Sequence, residues 1–213
     1  LENLQIRAEY SENISVITLP KDTDFYHQSE EYQEMDTAKD FLESLQEQME
    51  HPEDFGFFFS KSFEKSRDFI KKLVQLIFTQ IFEGKKKLNR QERCDFIEIL
   101  YFFLTLKVFE ETKPDTVSFT CKDALDTGAM MSAGFFAFLK ILQGSSFTKK
   151  EKDHLRLLVY APVLMVRERS INAKRLVRTM SSLATLDKHL SKKKIQEFAK
   201  IFSKDLFNTK EIS

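Results

Sequence analysis

The stretch NRQERCDFIEILYFFLTLKVFE, Asn89–Glu110, reads as a helix that is apolar nearly all round between Ile99 and Leu106. A helix without a polar side has to be surrounded, so this segment belongs at the centre of the molecule. Pro114 closes it, because proline cannot continue the hydrogen-bond ladder. On its N-terminal side, Ser62–Glu83 repeats Phe63, Ile70, Leu73, Ile77 and Ile81 at helical spacing, with Gly84 as the stop signal. On its C-terminal side, helices are expected at Gly128–Leu142, Thr148–Val166, Ser170–Leu186 and Ser191–Phe207. Ser146-Phe147-Thr148 and His189-Leu190-Ser191 supply start signals. Pro162 is expected to kink or break the second of these four. A further helix is expected from Asp36, its N-cap, to Met49, with Phe41, Leu42 and Leu45 on one face and Pro52 beyond its end.

β-structure is expected in two places. Residues 4–19, LQIRAEYSENISVITL, read as two short strands around Ser11-Glu12-Asn13, followed by an acidic loop from Lys21 to Glu34. Thr116-Val117-Ser118-Phe119-Thr120 reads as one short central strand. The expectation is a mainly α (α+β) chain: an N-terminal β and acidic arm over 1–35 and a helical domain over 36–213. That domain contains a strand–loop–helix unit at 116–142.

Composition supports the helical reading. Among 213 residues there are 22 Phe, no Trp, 5 Gly and 4 Pro, too few turn residues for a sandwich or barrel. With 42% apolar and 31% charged residues, collagenous, low-complexity and disordered classes are excluded. The 33 basic and 33 acidic side chains cancel in total but are unevenly placed. Residues 1–60 hold 15 acids and 3 bases, leaving 30 bases against 18 acids in the rest. The split fits either an acidic arm set against a basic surface or solvated helix faces of opposite sign.

Cys94 and Cys121 form no spaced framework, which suits a reducing compartment, and the four His have no partners at ligand spacing, so no metal or cofactor is expected. No signal peptide is expected. The longest apolar runs, Ile99–Leu106 and Leu157–Val166, are short of the ~20 residues that span a bilayer and read as buried core.

The unit at 116–142 carries the chemistry. Thr116–Thr120 leads into Cys121-Lys122-Asp123-Ala124-Leu125-Asp126-Thr127-Gly128 and then a helix of small residues. A strand-borne cysteine facing a helix N-terminus has its thiolate stabilised by the dipole and the free N–H groups, and the same groups cradle a phosphate. The segment resembles the signature of the cysteine-dependent phosphatases, Cys, five residues, Arg, then Thr or Ser and Gly. It is nearest in style to bacterial effector phosphoinositide phosphatases, whose loops read Cys-Lys-x-x-Lys-Asp-Arg-Thr-Gly. Cys121, Lys122, Asp126, Thr127 and Gly128 match that pattern with one residue dropped, and the dropped residue is the arginine. Leu125 replaces the second loop lysine.

The resemblance implies Cys121 as nucleophile and Lys122, Asp126, Thr127 and Gly128 as the phosphate-binding loop. Loss of the arginine implies a pseudo-phosphatase that binds a partner or a phosphorylated ligand, in the setting of a bacterial effector. A displaced arginine from Arg167, Arg169, Arg175 or Arg178 would restore activity, with Asp22, Asp24 or Asp115 as general acid. The residues alone leave a second reading open: Cys121 as a small buried hydrophobe and Asp126-Thr127-Gly128 as an ordinary helix start in an all-helical interaction domain. Arg167, Arg169, Lys174, Arg175 and Arg178, with Lys192–Lys194, form either a surface for an acidic partner or a solvated face. No nucleic-acid motif accompanies them.

Overall fold

The computed structural model describes residues 2–5, 7, 9–11, 13–35, 37–59, 67–120 and 125–202. Its helices are α1 (Glu2–Gln5), α2 (Asp24–His27), α3 (Ala38–Glu50), α4 (Arg67–Leu76), α5 (Arg90–Thr112), α6 (Asp126–Leu142), α7 (Lys149–Arg167), α8 (Ala173–His189) and α9 (Lys192–Ala199). A single π-turn, Ile77–Ile81, extends α4 toward Gly84. None of these helices is long and apolar enough to cross a membrane.

α5 is the axis, as its all-apolar stretch requires. Asn89 and Glu92 close a capping box at its start: each side chain accepts the other's backbone N–H at 2.9 Å. Every residue from Arg93 to Leu106 is buried, and α2, α4, α6 and α8 pack around it. Phe rings interlock across the core, Phe103 stacking on Phe198 at 4.5 Å and meeting Phe138 edge-on at 4.9 Å.

α6 passes close to both α5 and α8 because of its small residues. A Cβ on Gly134 would sit 2.8 Å from Phe102 Cζ and 2.8 Å from Thr179 Cγ2. Only glycine permits this approach. α7 packs on the other side of α6, through a second apolar cluster of Leu125, Ala129, Met130, Ala133, Val159, Val163 and Ile171.

Several expectations need correction. The described part of 4–19 holds the helical turn α1 and, near its end, one isolated antiparallel bridge, Thr18 to Phe58, in place of two strands. Strands need a paired neighbour, and Thr18 finds only Phe58. Thr116–Thr120 is irregular chain whose residues are exposed apart from Phe119, which packs on Phe109 and Phe135. Its β-branched residues have no described strand beside them. Pro162 does not break α7, which runs unbroken through it from the capping box of Thr148 and Glu151. α3 starts after Thr37, whose side chain accepts from Asp40 N at 3.1 Å, and α8 starts after Asn172.

Candidate functional site

The loop expected to carry chemistry is described only from Leu125 onward. Cys121 and Lys122 lie outside the described residues. Asp126, Thr127 and Gly128 form the first turn of α6, with Gly128 buried. Asp126 is engaged there. Arg169 donates to it in a fork, Nη2 to Oδ2 at 2.7 Å and Nη1 to Oδ1 at 3.1 Å, and the Asn172 amide donates to Oδ1 at 2.8 Å. The Arg169 hydrogen bonds and the Asn172 amide hold the Asp126 carboxyl below its usual range. This pairing ties the start of α6 to the turn between α7 and α8.

Two of the other arginines singled out are engaged elsewhere. Arg175 and Arg178 face a buried cluster around Glu98 on α5. Lys21 Nζ donates to Glu98 Oε2 at 2.7 Å, Arg178 Nε donates to Oε1 at 3.2 Å, and Tyr26 donates its hydroxyl to Oε1. The Arg178 guanidinium lies 3.7 Å from the Tyr26 ring centroid. Arg175 Nη1 donates to the Lys21 carbonyl at 2.7 Å. Burial pushes Glu98 up, but the charges of Lys21 and Arg178 outweigh it and hold its carboxyl low. Among the described residues every buried side-chain polar atom has a hydrogen-bond partner, so this cluster is a tie and not an open binding site.

The same logic governs the acidic arm. Among the described residues, Arg90, Arg93 and Arg175 take backbone carbonyls of the N-terminal segment, and Lys71 pairs with the Glu50 carboxylate at 3.1 Å. Arg93 is buried and fans onto Gln28 Oε1 and the carbonyls of Tyr32, Gln33, Met35 and Leu88, at 2.6 to 3.1 Å. Arg90 holds the carbonyls of His27 and Gln28. Asp22, Asp24, Glu30, Glu31 and Glu34 are left facing solvent.

The largest departure from expectation lies on α7. The run Leu157–Val166 was expected to be buried. Val159 and Val163 are buried against α6, but Leu157 is 62% exposed, Tyr160 48%, Leu164 60% and Met165 81%. At helical spacing Leu157, Tyr160 and Leu164 form one ridge, opposite the packed side made by Leu155, Leu158, Val159 and Val163. α7 is therefore apolar on two opposite faces and packed on one. The signal was present in the sequence: Lys150, Asp153 and Glu168 share the face of Leu157 and Leu164, and charges at both ends of a ridge mark its solvent side.

Lys149, Arg156 and Arg167 fall along one flank of the ridge, and His154, Ala161 and Met165 along the other, where Leu158 turns in against the second apolar cluster and His154 meets Phe136 edge-on at 5.2 Å. Arg156 also pairs with Asp153 at 2.9 Å. Among the described residues no three His, Cys, Asp or Glu gather in a group that could hold a metal. Compared with known proteins, the chain matches no family model, no curated protein and no solved structure.

Proposed function

We propose that this chain is a helical protein-interaction module that docks a partner over the outward face of α7. The observation that supports it is the ridge of Leu157, Tyr160 and Leu164, a contiguous apolar line on a helix whose opposite face already packs on α6. Scattered exposed leucines are ordinary, whereas an ordered line of them marks a contact surface. The test is selection from a displayed library of helical peptides on immobilised protein. Recovery is expected on the unmodified chain and lost on the double variant Leu157→Lys, Leu164→Lys. Equal recovery on both would sink the proposal.

A second reading keeps the phosphate-binding loop, with the chain as a catalytically impaired, phosphatase-like module of a bacterial effector. The observation that favours it is Arg169 lying at the first turn of α6, where the loop pattern lacks its own arginine. In this reading Asp126 occupies the guanidinium, so a phosphate has to displace a carboxylate, and turnover is absent. Sulfate or vanadate titration tests it. Asp126→Asn is expected to raise anion affinity, and an unchanged, undetectable affinity in the variant would count against a cradle.

A further inference from the structure

We infer that the partner seated on the α7 ridge is an amphipathic α-helix with an acidic flank on one side of its apolar seam. This rests on the docking role proposed for the ridge. Leu157, Tyr160 and Leu164 are spaced by three and four residues, the spacing at which one helix meets another in a seam. Charge then selects the partner. Lys149, Arg156 and Arg167 line only one flank, with Arg156 sharing its charge with Asp153 at 2.9 Å, and α7 as a whole carries five bases against the two acids Glu151 and Asp153. Glu151 is already held by Lys140 at 2.8 Å and by the Thr148 cap. An incoming helix with carboxylates along one side of its seam meets the basic flank, and its other side meets His154, Ala161 and Met165 without needing charge.

Two other occupants fit the surface less well. An anionic membrane would press Glu168, exposed at the C-terminal end of the ridge, into like-charged headgroups. A second copy pairing antiparallel, with Leu157 opposite Leu164, would set Asp153 opposite Glu168 and bring basic flank against basic flank.

Three labelled peptides of one helical length and one leucine seam test the inference by fluorescence anisotropy. One carries Glu along a single flank, the second carries Lys there, and the third is the Glu peptide with a central Pro. The Glu peptide is expected to bind about tenfold tighter than the Lys peptide at low salt, with the gap closing as salt rises. The Pro peptide is expected not to bind, and the double variant Arg156→Glu, Arg167→Glu to reverse the preference. Equal binding of Glu and Lys peptides, lost together on Leu157→Lys, Leu164→Lys, would overturn the acidic-helix partner while leaving the docking role standing. Uptake onto phosphatidylserine vesicles without peptide binding, or dimerisation in sedimentation abolished by the leucine variants, would overturn it in favour of a membrane or a second copy. If no probe responds to the leucine variants, the docking role itself falls. Circular dichroism of each variant confirms that the fold is retained.

Discussion

Arg178 lies over Tyr26, 3.7 Å from the ring centroid, and both residues donate to the same oxygen of Glu98. Through this contact α8, α5 and the N-terminal segment meet at one buried carboxylate. Removing Glu98 would leave Lys21 and Arg178 without their anion. Glu98→Ala is expected to cost about 3–5 kcal/mol, read from the denaturant midpoint. Arg178→Lys keeps the charge but loses the planar guanidinium over the Tyr26 ring, and is expected to be the milder change. A loss for Glu98→Ala of below about 1 kcal/mol would show that the cluster contributes little.

Asp95 behaves in the opposite sense. It is buried one turn before Glu98, and its oxygens accept from Gln91 at 2.9 Å, Ser181 at 3.1 Å and Thr185 at 2.8 Å, all neutral donors. Burial pushes its carboxyl above the ordinary value of 3.8. A raised acid favours folding when protonated, so its stabilising effect is full below that ordinary value and fades as pH rises through the folded value. Asp95→Asn is expected to flatten that slope and to equal or exceed the parent in stability at neutral pH. Thermal unfolding from pH 4 to pH 8 checks it, and a slope unchanged by the substitution would contradict it.

Gly134 is held to glycine by contact and not by backbone angle. Alanine there gains helix propensity of about 1 kcal/mol but drives its methyl into Phe102 and Thr179. The net expectation for Gly134→Ala is a loss of about 1–3 kcal/mol, since both neighbours are buried and closely packed. Adding Phe102→Leu should recover part of that loss, which a double-mutant cycle would read.

Val163 and Leu164 are adjacent in sequence and opposite in consequence. Val163 is fully buried and Leu164 is 60% exposed. Val163→Ala is expected to cost about 1–2.5 kcal/mol through the cavity it leaves, and Leu164→Ala to change stability by less than about 0.5 kcal/mol. Equal costs for both would place Leu164 in a core.

The helices were legible where one local signal sufficed. α5 announces itself by an apolar stretch without a polar face, and the start of α7 by Ser146-Phe147-Thr148. The strands at 4–19 and 116–120 were misread because a β-branched run shows only that a strand would be tolerated; pairing depends on a neighbour elsewhere in the chain. The Glu98 cluster was invisible for the same kind of reason: Lys21 and Arg178 lie 77 and 80 residues from it in sequence. Arg93 carries no motif either, since its acceptors are mostly backbone carbonyls. The small residues of α6, read as part of a phosphate-binding unit, have a packing cause at Gly134. By hydrophobicity alone Leu157–Val166 reads as core. The charged residues sharing its outer face were the more informative sign.

The measurement that bears most directly on the account is the ratio of helical peptides recovered from a displayed library on the unmodified chain and on Leu157→Lys, Leu164→Lys. A docking ridge on α7 predicts a recovery ratio of tenfold or more, the equivalent of about 1.4 kcal/mol. A ratio of one, with both proteins folded, would contradict it.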